Sequence, residues 1–282
     1  MPCCAFSPDG ASVCVGPAGS LKLFDVASDD RLLSLEGHGG LVYFGSAFSP
    51  DGSTLVSGSY DKTIKLWNAA SGSLIRMLEG HTDWVYCCAF SPDGRSICSG
   101  SRDELLKLWD AASGECQRTL DGHAGPVHCC AYSADGATVV TGSEDKTLKL
   151  WSAATGACIR TFSGHTAVVK ACRFSPADGN TILSSSWDKT LKLWDATTGV
   201  CRRTLTGHAS CVHGCAFIPI HGNDVLSCSD DTCLKLWDVT TGACTATLQG
   251  HKSAVFCCSI SRDGATIASV DILGILKLWG RV

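Results

Sequence analysis

Residues 126–162 read PVHCCAYSADGATVVTGSEDKTLKLWSAATGACIRTF. Short stretches that alternate or run briefly apolar are cut by clusters of Ser, Asp, Gly and Thr, the pattern of strands bounded by turns. Four strands result, PVHCCAY, ATVVTGS, LKLW and ACIRTF, joined by SADG, EDKT and SAATG. In the third, Leu148 and Leu150 alternate with Lys149 and Trp151, so the two faces of the sheet differ chemically. S-P-D-G at 49–52 and 91–94 suits a tight hairpin, since proline presets one backbone angle and glycine accepts a positive one. No helical periodicity competes with this reading anywhere in the chain.

The unit recurs. Gly-His pairs stand at 37–38, 80–81, 122–123, 164–165, 207–208 and 250–251, each 42 or 43 residues after the last. Phe24, Trp67, Trp109, Trp151, Trp194, Trp237 and Trp279 end the third strands at the same separation. A period of about 40–45 residues closing near Trp-Asp points to propeller blades. One such sheet cannot bury both faces alone, so successive sheets must stack around an axis. The fold class expected is all-β, a seven-bladed propeller of four-stranded antiparallel blades forming one domain over 1–282. The blades fall near 1–36, 37–79, 80–121, 122–163, 164–206, 207–249 and 250–282. Arg76, Arg118, Arg160, Arg202 and Arg203 fall on the outer strands, where charge discourages edge-to-edge association.

With 282 residues, 45% of them hydrophobic, the chain can bury a large core. Its net charge of -4 gives no basic footprint for a phosphate backbone, which argues against nucleic-acid binding. No run of about 18 apolar residues exists for a membrane span, and the start, MPCC, lacks the pattern of a secretory signal. These features predict a soluble, intracellular protein, cytoplasmic or nuclear. Nineteen cysteines, an odd number, follow the repeat: Cys116, Cys158, Cys201 and Cys244 recur at one register and Cys87-Cys88, Cys129-Cys130 and Cys257-Cys258 at another. They are expected to act as small buried hydrophobes. No metal site and no cofactor are expected. The nearest ligand cluster, Cys211, His213 and Cys215, has strand spacing that would send all three to one face but lacks a fourth ligand.

The Gly-His pair, the phrase SGSYDKTIKLWN at 57–68 and the fixed spacing together resemble the WD-repeat family over nearly the whole chain. The resemblance implies a hydrogen-bonded tetrad in each blade. The matching residues are His38, Ser57, Asp61 and Trp67; His81, Ser99, Asp103 and Trp109; and His123, Thr141, Asp145 and Trp151. His165, Ser184, Asp188 and Trp194, then His208, Ser227, Asp231 and Trp237, complete five sets. A Ser, His and Asp together also describe a hydrolase triad. Five copies serving five blades argue for scaffold instead, and the chain is read as no enzyme.

The ends depart from the pattern. The first blade has Cys14 and Ala18 where Ser and Asp are needed, and the seventh keeps His251, Ser269 and Trp279 but has Leu273 at the aspartate position. No outer strand follows Trp279, so the last blade is expected to be three-stranded with 276–279 as its edge. A truncated longer chain explains this more simply than an edge awaiting a partner's strand.

The resemblance also implies a binding face at the narrow top of the ring. Carried over position by position, one set follows the first-strand valine: Tyr43, Tyr86, His128, Lys170, His213 and Phe256. The other precedes the tetrad aspartate: Tyr60, Arg102, Glu144, Trp187, Asp230 and Ile272. Leu41 and Trp84 border the same rim. Aromatic, Arg and His residues concentrated there suit a binding hot spot. The expected function is a non-enzymatic scaffold that binds a protein or peptide partner within a multi-subunit complex. A substrate-receptor or chromatin-reader subunit is the alternative, though the W-D-x-R adaptor box is absent.

Overall fold

In the computed structural model, residues 4–16, 20–28, 30–219 and 224–280 are described, with Tyr43 and Phe44 described in their backbone alone. The expectation for Ala18 and for the Tyr43 side chain therefore lies outside the described residues.

Seven sheets follow one another along the chain. The first holds β1–β4 (Cys4–Phe6, Ser12–Val15, Leu21–Asp25, Arg31–Leu35) and the second β5–β8 (Val42–Phe48, Thr54–Ser59, Ile64–Asn68, Leu74–Leu78). The third holds β9–β12 (Val85–Phe90, Ser96–Ser101, Leu106–Asp110, Cys116–Leu120) and the fourth β13–β16 (Val127–Tyr132, Thr138–Ser143, Leu148–Ser152, Cys158–Phe162). The fifth holds β17–β20 (Val169–Phe174, Thr181–Ser186, Thr190–Asp195, Cys201–Thr206) and the sixth β21–β24 (Val212–Phe217, Asp224–Ser229, Leu234–Asp238, Cys244–Leu248). The seventh, β25–β27 (Val255–Ile260, Ile267–Asp271, Leu276–Trp279), has three strands among the described residues, as expected. Every sheet is an antiparallel meander. First strands pack side by side, and β25 packs against β1 to close the ring.

The two chemical faces of each third strand go to different neighbours. Leu148 and Leu150 join Val169, Ile182 and Trp194 of the following sheet, whereas Trp151 joins Leu106, Leu108 and Leu120 of the preceding one. Five third-strand tryptophans are almost fully buried. Each hides roughly 150–250 Å², which at about 25 cal/mol/Å² stabilises the ring by roughly 4–6 kcal/mol. The Gly-His glycine belongs to the same packing. Gly122 has φ 151°, and a Cβ there would lie 3.2 Å from the Trp151 ring; Gly164 repeats the arrangement at 156° and 3.1 Å from Trp194.

The S-P-D-G turns are tied by their own side chains. Ser49 Oγ donates to Asp51 Oδ1 (2.5 Å) and accepts from the Thr54 amide (2.9 Å), while Gly52 has φ 74°. One expectation needs correction. Cys116, Cys158, Cys201 and Cys244 are exposed, because each begins an outer strand that is the edge of its sheet among the described residues; the inner-strand Cys87, Cys88, Cys129 and Cys130 are buried. The rim arginines also do more than carry charge: Arg76, Arg160 and Arg203 each donate from Nη1 to a carbonyl in the next blade, those of Ser113, Thr198 and Thr241, at 2.9–3.0 Å.

Candidate functional site

Two polar systems lie near the top of the ring, one inside each blade and one around the channel mouth. In the blade system the histidine Nδ1 donates to the aspartate Oδ2, its Nε2 accepts from the Ser or Thr hydroxyl, and the tryptophan Nε1 donates to that same oxygen. In all five predicted sets, from His38, Ser57, Asp61 and Trp67 to His208, Ser227, Asp231 and Trp237, these distances are 2.7–2.8 Å. Burial alone would raise the Asp145 carboxyl, but hydrogen bonds from His123 and Thr147 outweigh it and hold the group well below its ordinary value. The next residue, Lys146, sits at φ 70°, with its amide on the Ser143 carbonyl at 3.2 Å.

The seventh blade completes its network from another position. Leu273 is exposed, and Asp271 supplies the carboxylate, its Oδ2 lying 3.1 Å from His251 Nδ1. Val255 pairs with Asp271 as Val127 pairs with Ser143, so the aspartate occupies the strand-end serine's register position. From there its Oδ1 accepts from the Leu273 and Ile275 amides, both at 3.0 Å.

These sets cannot act as hydrolase triads. The hydroxyls of Ser57, Ser99, Thr141, Ser184 and Ser227 belong to residues with no exposed surface, and each is enclosed between imidazole and indole. A substrate carbonyl could not reach them.

The second system ends the first strands. Tyr86, His128, Lys170, His213 and Phe256, expected as contact residues on the rim, are instead buried. The reason is a repeated bulge. Val127 pairs with Ser143 and Cys129 with Gly142, leaving His128 unpaired, and the register slips likewise beside Tyr86, Lys170, His213 and Phe256. A bulge re-aims its extra side chain. Here the residues reach one another around the channel: Tyr86 stacks on His128 with centroids 4.7 Å apart, and Lys170 Nζ donates to His128 Nδ1 at 3.1 Å. His213 packs on Phe256 at 4.2 Å and meets Asp230 Oδ1 through Nε2 at 2.7 Å.

Burial and the neighbouring Lys170 charge push His128 down to about 2, so the ring is neutral and its Nε2–H faces Glu144 Oε2 at 3.5 Å. Burial also lowers Lys170 to about 8. The same bulge separates the supposed metal ligands. Cys215 packs with Val212 in the core while His213 turns to Asp230, and no group of three or more His, Cys, Asp or Glu could hold a metal ion among the described residues.

Above these supports stands the accessible rim. Tyr60 stacks on Trp84, with centroids 4.1 Å apart and planes 4° from parallel, and the Arg102 guanidinium covers the Trp84 ring at 4.6 Å. Across the ring, Trp187 is 36% exposed, held over Lys170 Nζ at 5.3 Å and with Nε1 3.5 Å from His213 Nδ1. Glu144, Leu41 and Ile272 are also exposed, and Asp230 is partly so.

The family model for the WD domain, G-beta repeat, matches residues 29–68, 72–110, 114–152, 156–195, 199–238 and 242–280. The chain belongs to the WD40 family. Each WD40 match takes the outer strand of one sheet with three strands of the next, so six matches accompany seven sheets. Among WD40 relatives, WD repeat and SOCS box-containing protein 1 of Xenopus tropicalis is 43% identical over 72 residues, 25% of this chain and 17% of that protein. Periodic tryptophan protein 2 homolog of Schizosaccharomyces pombe is 40% identical over 73 residues, 25% of the chain and 8% of the relative. U3 small nucleolar RNA-associated protein 15 homolog of Xenopus laevis is 35% identical over 86 residues, 30% and 16% respectively. The likeness thus spans less than a fifth of each of these relatives. No helix among the described residues of this WD40 chain is long and apolar enough to cross a membrane.

Proposed function

We propose that the chain is a non-enzymatic interaction scaffold, intracellular and part of a larger assembly, that receives a protein or peptide on the top of the ring. The observation that carries this reading is the Arg102–Trp84–Tyr60 stack. Three large side chains are ordered against one another at the surface before any partner arrives, so less rotamer freedom is lost on binding. Trp187 offers a second aromatic contact supported from below. Tyr86, His128, Lys170, His213 and Phe256 contribute by fixing the rim rather than by touching the partner. Arg102 is placed to meet an acidic side chain and Glu144 a basic one; both are exposed.

Affinity purification with mass spectrometry, comparing the parent with Trp84→Ala and Trp187→Ala, tests the reading. Both variants should lose the same captured proteins, and Trp187→Ala should melt close to the parent temperature. Retention of the parent's full set by both variants would remove the top face from consideration.

A further inference from the structure

The ring closes where β1 meets β25, and two thiols face each other across that seam. Cys4 Sγ lies 3.2 Å from Cys257 Sγ, and the Cys4 amide donates to the same Cys257 sulfur at 3.2 Å. A disulfide needs its sulfurs at about 2.05 Å, so little more than 1 Å of approach separates the pair from a bond. Both residues line the central channel, which encloses about 520 Å³ and opens to solvent. Arg173 lines it too, its Nη1 donating to the Cys172 carbonyl at 2.9 Å, and among the described residues no Asp or Glu lines the channel.

We infer that Cys4 and Cys257 form a reversible disulfide that latches the first blade to the seventh, made by exchange with a low-molecular-weight disulfide entering through the channel. Cys257 is the attacking group. The hydrogen bond from Cys4 holds its thiol below the ordinary value against burial, with help from the Cys4 amide and the Arg173 charge. By contrast, burial raises the Cys87, Cys172, Cys215 and Cys228 thiols. The Cys257 thiolate attacks one sulfur of the small disulfide, forming a mixed disulfide and releasing one small thiolate. Cys4, having given up its proton, then attacks Cys257 Sγ and expels the second thiolate. In sum, two protein thiols and one small disulfide become one protein disulfide and two small thiols, so the oxidant accepts both electrons and both protons. The bond would tie the sheet that has three strands among the described residues to the first blade.

Treatment of the full chain with hydroxyethyl disulfide, alkylation of the remaining thiols, intact mass measurement and peptide mapping test the latch. The expected product joins the peptides carrying Cys4 and Cys257 with the loss of two hydrogens, keeps no hydroxyethylthio adduct on either of those two residues whatever the exposed outer-strand thiols carry, and reverts with dithiothreitol. Its Tm should exceed that of the reduced chain, an increase absent from Cys4→Ser, and Arg173→Gln should slow its formation. Should Cys4→Ser not fold, mapping of the parent decides alone. A lasting adduct on Cys257, a crosslink between any other pair, a crosslink that survives in Cys4→Ser, or an unmodified pair overturns the inference.

Discussion

His251 and Asp271 are joined at 3.1 Å although only 20 residues separate them, against 22 or 23 in the five regular blades. The carboxylate has moved to the end of the second strand and still reaches the same imidazole. Asp271 is 3% exposed, so removing it strands a buried ring N–H and two amides. Asp271→Ala should lower unfolding free energy by roughly 1–3 kcal/mol in urea melts. The same change at Leu273 should cost far less.

His165 bridges Asp188 and Ser184 at 2.7 and 2.8 Å with almost no exposure. His165→Ala should destabilise by a similar roughly 1–3 kcal/mol, read as a lower Tm. Ester hydrolysis measured beside it should be indistinguishable from buffer for both proteins. Equal melting of variant and parent would count against a structural role for the network.

Tyr86 and Trp187 separate stability from recognition. Tyr86 is buried and stacked on His128, so Tyr86→Ala should lower Tm clearly, the loss of a packed aromatic costing about 3–5 kcal/mol. Trp187→Ala should shift Tm little, because over a third of that side chain already faces solvent. Thermal melts of the two variants side by side check the contrast.

His128 makes stability depend on pH. Folded, it takes a proton only near about 2; unfolded, near its ordinary 6.5. Between those values the unfolded chain binds more protons, so stability falls as pH drops through 6.5. From pH 7 to pH 5 this one group should remove about 2 kcal/mol. His128→Gln keeps an acceptor for Lys170 and should flatten the slope of urea-melt stability against pH. An unchanged slope would show that His128 is not the titrating group. Lys170 acts at the other end: its value near 8, against an ordinary 10.5, means stability rises as pH climbs between the two.

The ring was legible in the sequence because its signals are local and repeated. Spacing alone paired His123 with Thr141, Asp145 and Trp151, and the structure brings those four atoms together. Asp271 escaped because the motif places its carboxylate in the turn, and a strand-end aspartate reads there as an irregularity. The burial of Tyr86, His128 and Lys170 escaped for a different reason. Strict alternation is the only guide to facing within a strand, and a bulge breaks it with no Gly or Pro at Tyr86, His128 or Lys170 themselves to mark the place. Arg160 showed its charge but not its reach, since a contact with Thr198 of the next blade depends on how two sheets are angled.

The arginine contacts from the rim to the following hairpin at Arg76, Arg160 and Arg203, with the leucine and tryptophan faces beneath them, couple those blades to their successors. Loss of structure cannot then peel inward from a free end as it does in an open array of repeats. The seam is the exception: among the described residues its buried apolar cluster is only Cys4, Val13, Val15, Ala268 and Val270, and every residue of β27 is only partly covered. Amide protons of β27 and β1 should therefore trade with deuterium well before those of β14 and β18, making this junction the place where the circle first opens.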